Sequence, residues 1–580
     1  MTATTTTTPA PPDVDSYPYN LGTFGLPVKT TSRTAQRWFD RALAWTYGFH
    51  HIEAERCFRY ALAADPECAM AWWGLAYAAG PNYNKAWEMF DAAELKAALT
   101  TCHEAATNAV KYATDPVEAA LARAIAARFP ADRLDNEKEY VKWNRAFADA
   151  MEAVYKDFGE QLDVAVVYAD SLMAFAPWQL WDLATGAPKE ESRTLEIQAV
   201  LEKALTYPNA HFHPGVLHFY IHLMELSPWP EKALVPADAL RELIPDAGHL
   251  RHMPGHIDIL IGDYRRCIDS NLDAIDADEK YVAQDASNAL DFYAFYRLHD
   301  YTFPIYAAMF NGQFKVAIDT VDRMEEGLTD EFLRIPSPPI IDWMEGFVTF
   351  RVHVLVRFGR WEDILALKFP DDRAFYCVTT TFLRYGRALA LALTDRQDEA
   401  LAEQALFRES RKAIVPSRQA FPNSWSDILD VAEEMLEGEI LYRSGQVEDG
   451  FTHLRKSIHL CDNLVYAEPW GWMQPPRHAY AALQLEQGNV EEAAKVYAED
   501  LGYSDALPRA VRHPNNVWAL HGYHECLVRL GRKAEASIIK PQLDLALAVA
   551  DVQVESSCFC RRVEAAAAGA SAASGASCCK

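Results

Sequence analysis

Residues 35–66 read AQRWFDRALAWTYGFHHIEAERCFRYALAADP, and this stretch decides the fold. Counted from its first residue, it has large, small, aromatic and proline residues at the spacing of a 34-residue pair of helices. The residues at positions 4, 11, 20, 24, 27 and 32 are Trp38, Trp45, Ala54, Phe58, Ala61 and Pro66. A second unit begins at Ala69, with Trp72 at position 4. The stretch therefore predicts a helical hairpin followed directly by another.

A glycine followed five positions later by a small or apolar residue recurs along the rest of the chain. Glycine at the end of a helix is ordinary capping chemistry, but a repeated spacing indicates a repeated unit. The pairs are Gly262/Cys267, Gly312/Ala317, Gly359/Ile364, Gly445/Gly450, Gly488/Ala493 and Gly531/Ala536. Units of this kind bury their apolar faces only against their neighbours, so we expect one cooperative array.

The spacing resembles that of the tetratricopeptide repeat (TPR) family, and we predict an all-α fold of that type. The prediction is an α-solenoid, a superhelix of helix pairs, with degenerate inserted helices. The expected segments are a disordered leader over 1–30, the solenoid over 31–555, and a Cys- and Ala-rich disordered tail over 556–580. The clearest repeats cover 35–80, 214–281, 298–331 and 474–550.

Charge and composition limit the kinds of partner. The formal net charge is −27, which argues against a nucleic-acid backbone as the main partner. No apolar run is long enough for a transmembrane helix, and the first fifteen residues lack the features of a secretory signal. Most of the cysteines are scattered as small core residues would be. We therefore expect a cytoplasmic protein without integral membrane association; the sequence indicates no particular oligomeric state.

Histidines recur at one face of the central repeats. At 100° per residue, positions 2, 5, 9 and 12 form a stripe separate from the packing positions, and in a TPR solenoid this stripe lines the concave groove. Taking Pro214 as position 1 places His218 and His222 at positions 5 and 9. His252 and His256 occupy the same two positions one full repeat later. The other members of the stripe are Glu225, His249, His299, His353, His478 and His521.

This arrangement predicts a transition-metal site. Imidazoles at i and i+4 share one helix face and can bind one metal, and neighbouring helices lie about 8–10 Å apart. The predicted ligands are His218, His222, His249, His252 and His256. Imidazole ligands suit copper, iron or zinc and do not suit magnesium or calcium. Two helices that each carry His-x-x-x-His resemble coupled dicopper proteins in spacing, on an unrelated scaffold.

Three further residues lie close to these ligands in the predicted register. Glu225 follows His222 by three positions, so it is a candidate ligand, a residue that orients a ligand, or a catalytic base. His299 is the second catalytic candidate, at the border of the site. Tyr220 also borders the site, but position 7 of the repeat should pack it inside the solenoid.

Two functions follow from these observations. The first is a metal-dependent oxidoreductase or hydrolase acting on a small organic molecule in the groove, and the nitrogen-rich ligand set slightly favours oxidation. The second is a non-catalytic scaffold that binds a peptide or protein partner, as TPR domains commonly do. Histidines on helices also serve as core residues in hydrogen bonds between repeats, which is the structural alternative for each of them.

Two sequence motifs carry a narrower resemblance. Residues 213–222 read HPGVLHFYIH and residues 248–257 read GHLRHMPGHI, and Gly80-Pro81-Asn82 follows the second repeat opening. Together they resemble a group of TPR proteins with a His-rich central repeat pair. That resemblance implies a shared groove site and supplies no substrate. Outside the groove, Cys558-Phe559-Cys560 is a Cys-x-Cys motif that suits a soft metal such as copper(I).

Overall fold

The computed structural model describes residues 11–136, 138–285, 292–336 and 339–562. Within these ranges the regular structure is helical and contains no β-strand. The first helices are α1 (Arg33–Tyr47), α2 (His51–Ala64), α3 (Ala69–Ala79), α4 (Ala92–Tyr112), α5 (Pro116–Arg128), α6 (Glu139–Phe158), α7 (Leu162–Met173), α8 (Thr194–Leu205), α9 (Pro214–Glu225), α10 (Leu234–Leu240), α11 (Gly248–His252), α12 (Pro254–Ile261), α13 (Tyr264–Gln284) and α14 (Ala294–Asn311).

The chain continues through a second series of helices of similar kind. They are α15 (Phe314–Gly327), α16 (Asp330–Leu333), α17 (Ile340–Met344), α18 (Phe350–Arg357), α19 (Trp361–Ala366), α20 (Cys377–Leu393), α21 (Gln397–Lys412), α22 (Trp425–Arg443), α23 (Val447–Asp462), α24 (Pro476–Glu486), α25 (Val490–Asp500), α26 (Val517–Arg529) and α27 (Lys533–Val549). None of the described helices is both long and apolar enough to cross a lipid bilayer.

Consecutive helices pack as hairpins, and each hairpin packs on the next. Helix α1 packs on α2, α2 on α3, α13 on α14 and α14 on α15, and α24 to α27 continue the same pattern. The six glycines of the recurring pairs all adopt left-handed backbone conformations, with φ between 62° and 83°. A residue with a Cβ atom is disfavoured there, which explains why glycine ends these helices. The all-α, TPR-type solenoid predicted from the sequence is confirmed.

The superhelix turns far enough for distant repeats to meet. Helix α14 contacts α26, and the indole Nε1 of Trp518 donates to the backbone carbonyl of Met309 at 2.6 Å. Both ends of the chain also pack on the solenoid. Tyr19 and Leu21, inside the segment predicted as a leader, are buried, and residues 556–562, inside the predicted tail, lie against the C-terminal repeats. Residues 1–10 and 563–580 are outside the described residues.

Candidate metal centre

Three neighbouring parts of the solenoid bring the predicted histidines together. Helix α9 carries His218 and His222. Helix α11 carries His249 and His252, α12 carries His256, and α14 carries His299. Helix α9 contacts α12, and α11 contacts α14, so the inner faces of these helices meet. The predicted metal ligands His218, His222, His249, His252 and His256 are all buried. His299 is partly exposed.

The histidines form two groups of three, which we call the first and second triads. In the first triad, the Nε2 atoms of His218 and His222 are 3.0 Å apart, and His249 completes the group. Within each triad, one possible ligand atom from each residue lies within 4.8 Å of the other two. Each triad therefore has the composition and spacing to hold one metal ion.

The second triad repeats the geometry of the first. The Nε2 atoms of His252 and His256 are 2.7 Å apart, and the His299 ring centroid is 4.7 Å from that of His252. The triads are adjacent, because ring centroids of His249 and His252 are 5.6 Å apart and those of His222 and His256 are 6.0 Å apart. The arrangement thus places two candidate metal positions next to one another.

Hydrogen bonds to the outer nitrogens fix the tautomers in the first triad. Nδ1 of His218 donates to the backbone carbonyl of Tyr47 at 2.6 Å, and Nδ1 of His222 donates to Oε1 of Glu225 at 3.0 Å. A carbonyl or carboxylate oxygen accepts a proton in such a bond. Nδ1 therefore carries the hydrogen in both rings, and each Nε2 presents a lone pair to the other.

In the second triad, one of the two paired rings has such a bond. Nδ1 of His252 donates to Oδ1 of Asn271 at 2.6 Å, and the Asn271 amide is oriented by its own bond to the Cys267 carbonyl. Nδ1 of His256 forms no hydrogen bond but lies 2.9 Å from a carboxylate oxygen of Glu225 and 2.9 Å from one of Glu468. The His252 ring therefore turns an unprotonated Nε2 toward Nε2 of His256.

Facing lone pairs at this distance repel unless a cation lies between them. Metal–imidazole bonds of about 2.0–2.1 Å at tetrahedral or right-angle geometry place two nitrogens about 2.9–3.4 Å apart. The 3.0 Å separation in the first triad falls inside that range, and the 2.7 Å separation in the second lies slightly below it. Outer hydrogen bonds of this kind are what orient histidine ligands in metal sites.

Burial sets the charge of the cluster. It lowers the pKa of His218, His222, His249, His252 and His299 well below the usual value, and neighbouring imidazoles lower these pKa values further. These histidines are therefore neutral at pH 7, which is the form that binds metals.

The two carboxyl groups behind the imidazoles have the opposite shift. Burial raises the pKa of Glu468 to about 8, and burial together with the nearby Glu468 raises the pKa of Glu225 well above its usual value. The two carboxyl groups therefore hold at least one proton between them at pH 7. A proton held between them leaves Oε1 of Glu225 free to accept from His222.

An aromatic pocket opens next to the second triad. It encloses about 1200 Å³ of space, part of it open to solvent, and His249, His256, His299 and Glu468 form one wall. Besides Tyr296, nine large rings line the pocket: Trp178, Phe295, Trp343, Phe347, Phe350, Phe382, Phe421, Trp425 and Trp470. No lysine or arginine is among the described residues that line it. The pocket thus favours an uncharged, largely apolar occupant.

The structure changes the place of three residues singled out from the sequence. Glu225 lies behind the imidazoles, on the Nδ1 side of His222 and His256, which is the position of a residue that orients ligands. His299, predicted as a catalytic residue, lies in the second triad, with one nitrogen within 4.8 Å of possible ligand atoms of His252 and His256. The hydroxyl of Tyr220 contacts Glu202 at 3.3 Å, and so does not border the centre.

Several residues of the centre were not found from the sequence. Glu468 follows α23 and belongs to a distant part of the chain, and the Tyr47 carbonyl lies on another repeat. Asn271 lies on α13, the second helix of the repeat that carries His252. Asp300 also lies 3.4 Å from Nδ1 of His252. The sequence signal for Asp300 is its position directly after His299, while no spacing rule connects Glu468 to the histidines.

Comparisons with known proteins add little about function. No known protein-family profile matches the chain, and no curated protein matches it. Similar solved structures include yeast Tom70 (12% identity, 88% of this chain and 99% of that chain, TM-score 0.30). A monomeric IFIT1 mutant with Gppp-AAAA has 10% identity over 88% of this chain and 96% of that chain, with a TM-score of 0.32. The TPR-type assignment therefore stands on the helix pairing and capping glycines described above.

Proposed function

We propose that the two triads bind a pair of transition-metal ions and that the centre acts on a small, uncharged organic molecule in the aromatic pocket. One observation carries the proposal: in the first triad, two buried imidazoles have their Nδ1 hydrogens committed to hydrogen bonds and their Nε2 lone pairs facing each other at 3.0 Å. The second triad repeats the close pair of Nε2 atoms at 2.7 Å, with the Nδ1 hydrogen of His252 committed to Asn271. A structural histidine pair in a core would place a donor opposite an acceptor. Facing acceptors suit a shared cation.

The ligand set narrows the choice of metal. Six imidazoles and no thiolate suit copper, iron or zinc, and do not suit magnesium or calcium. The all-nitrogen triads favour oxidation over hydrolysis, as the sequence spacing already did. When bound, such ions supply electrophilic activation of water or dioxygen.

The chain's own residues supply the orientation. Glu225 contacts one imidazole of each triad, His222 and His256, so a single carboxyl group couples the two ligand positions. Glu468 contacts His256 from the pocket side and holds its ring from a second direction. We infer that both act as positioning residues and keep the Nε2 atoms directed inward.

The pocket restricts the substrate class. Because its described lining residues include no cationic side chain, a substrate carboxylate or phosphate would lose its hydration without a charged partner. Aromatic walls instead favour flat, apolar molecules that stack or pack edge to face. We therefore propose an aromatic or other apolar compound, whose reacting atom approaches His256 and His299.

Metal analysis of the purified full-length chain tests the proposal. We expect about two equivalents of transition metal per chain in the wild type and a loss of both ions in the His218→Ala/His252→Ala variant, since each triad loses one of its three ligands. His353→Ala is the matched control, because His353 is buried and lines the pocket but belongs to neither triad. Wild-type protein that remains metal-free after incubation with copper, iron and zinc would contradict the proposal.

A non-catalytic scaffold is the second candidate, and one observation favours it. Residues 554–562 cross the C-terminal repeats outside any α-helix, as a bound peptide would. A metal-free chain that binds peptides in its groove would support this function. For either function, the seven free cysteines among the described residues are all buried, which favours a reducing compartment, and we propose a cytoplasmic location.

A further inference from the structure

The last described residues, 551–562, pack on the surface of the repeats. We call them the C-terminal segment. It leaves α27 and first contacts α15, where the Asp551 carboxylate accepts from the backbone N–H groups of Phe314 and Lys315 at 2.7 and 2.9 Å. This carboxylate satisfies two amides at a helix start. The segment then continues across α18, α24 and α26.

Buried polar contacts hold the middle of the segment. Ser557 is fully buried, its hydroxyl donates to the backbone carbonyl of His478 at 2.7 Å, and its carbonyl accepts from Arg357. At the end of the segment, Arg561 forms a two-pronged ion pair with Glu525 at 2.7 and 2.9 Å. Such contacts fix the register of the segment on the repeats.

The Cys-x-Cys motif lies between these two anchors. Cys558 and Cys560 form a disulfide in this structure, and Cys560 is only 2% exposed. Glu439 of α22 faces them, and one ligand atom from each of the three residues lies within 4.8 Å of the others. This group is far from the triads in sequence and uses none of their residues.

Besides the two cysteines, the surroundings of Glu439 independently indicate a bound cation at this place. It is fully buried, neither carboxylate oxygen has a hydrogen-bond partner, and the nearest cationic nitrogen is Nε of Arg443 at 4.0 Å. A buried carboxyl group without a hydrogen bond is costly, and a bound cation would offset that cost. Glu439 also lines a cavity of about 470 Å³ together with both cysteines.

We propose that Cys558, Cys560 and Glu439 form a second metal site, separate from the histidine centre, that binds zinc when the cysteines are reduced. Two thiolates and one carboxylate are a mixed ligand set that suits Zn²⁺, whereas copper(I), which the Cys-x-Cys motif alone suggested, prefers soft ligands. The neighbouring cavity leaves the fourth position of a tetrahedral site open to water or to an added ligand.

The redox step that opens the site balances with an external thiol. Two thiol molecules reduce the Cys558–Cys560 disulfide, become oxidised to one disulfide, and leave two cysteine thiols; each thiol then loses its proton as the metal binds. Because Glu439 belongs to α22 and the cysteines belong to the C-terminal segment, the bound ion would cross-link the segment to the repeats. It would therefore keep that part of the groove occupied by the chain itself.

Cobalt(II) is a suitable probe, because thiolate ligation gives a charge-transfer absorption that imidazole ligation does not give. We expect this absorption in reduced full-length protein and its disappearance when excess Zn²⁺ is added. It should be absent from the Cys558→Ser/Cys560→Ser variant. It should persist in Cys578→Ser/Cys579→Ser, which removes a second cysteine pair outside the described residues, and in His218→Ala/His252→Ala, so failure of the histidine centre is recognised separately.

The role of the carboxylate has its own test. Glu439→Gln should weaken cobalt binding at least about ten-fold while the thiolate absorption remains, since changes in the surroundings of a metal site already cost about 10–100-fold in affinity. Far-ultraviolet circular dichroism of each variant checks that the solenoid is intact. Reduced wild type without the absorption, the same absorption in Cys558→Ser/Cys560→Ser, or unchanged affinity in Glu439→Gln would each overturn the proposal.

Discussion

His218 and His478 occupy the same position of their repeats and have opposite surroundings. His218 has one nitrogen on a backbone carbonyl and the other 3.0 Å from a second imidazole. Both nitrogens of His478 have committed partners: Nδ1 accepts from Arg357 at 3.0 Å, and Nε2 donates to Asp500 at 2.8 Å. The repeat register therefore directs a histidine into the groove, and only its neighbours decide whether a nitrogen is left for a metal.

The central repeats around His218 and the C-terminal repeats around His478 differ in the same sense. Around His478, the buried carboxyl group of Asp500 has hydrogen-bond partners. Burial alone would raise the pKa of Asp500, but the neighbouring His478 and His513 hold the pKa of that carboxyl below its usual range. Around His218 the nearby titratable groups include His222 and His249, whose pKa values burial lowers well below the usual value. We infer that the C-terminal repeats use histidine for packing, while the central repeats concentrate lone pairs for metal binding.

The largest effect on metal content should come from removing one imidazole of the central repeats, in comparison with one imidazole of the C-terminal repeats. His222→Ala should cost at least one of the two metal ions, measured by elemental analysis of desalted protein. His478→Ala should keep both ions but destabilise the fold by about 1–3 kcal/mol, because Asp500 and Arg357 lose a buried partner. Equal metal loss in both variants would remove the distinction between the two regions.

Acid should destabilise the metal-free protein through the central histidines. Their pKa values are lowered by burial, so below pH 6.5 the unfolded chain binds protons that the folded chain does not, and stability falls as pH falls. Each such group contributes up to about 1.4 kcal/mol per pH unit. Urea unfolding between pH 7 and 5.5 measures the slope.

Two variants sharpen this pH experiment. His218→Ala/His252→Ala should reduce the slope, because two of the lowered pKa values are gone. His211→Ala removes an exposed histidine just before α9 and should leave the slope unchanged. A slope that is the same in all three proteins would place the acid sensitivity outside the triads.

Glu225→Gln should weaken metal binding by about 10–100-fold, as expected for a group that orients two ligands. The amide keeps the size of the side chain but replaces one of the two oxygens, which accept from Nδ1 of His222 and lie 2.9 Å from Nδ1 of His256, by a hydrogen-bond donor. Glu202→Gln is the matched control, since Glu202 contacts Tyr220 on the other side of the helix. Competition with a chelator measures both affinities, and equal values would show that Glu225 does not act on the ligands.

The smallest effect should come from the C-terminal segment. Arg561→Ala removes a partly buried ion pair with Glu525, and should lower the unfolding free energy by no more than about 1 kcal/mol. Metal content at the triads should not change, because Arg561 contacts Glu525 on α26, a helix that carries no triad residue. A change in triad metal content would connect two regions that the comparison separates.

Local sequence determined a large part of this protein. The 34-residue spacing and the Gly-x₄-small pairs were sufficient for the fold, because a repeat packs only against its neighbours and each unit carries its own signal. The His-x-x-x-His pairs were found for the same reason: helical geometry fixes which side chains share a face. Even the place of Tyr220 inside the solenoid followed from its register.

Only the tertiary structure decided how those histidines are used. Glu468 and the Tyr47 carbonyl reach the imidazoles through the turn of the superhelix, and no local periodicity encodes which distant repeats meet. The same holds for Glu439, which meets Cys558 and Cys560 only because the C-terminal segment folds back over α22. Helical periodicity is a property of neighbours in sequence, whereas protonation and ligand geometry depend on contacts between residues far apart in the chain.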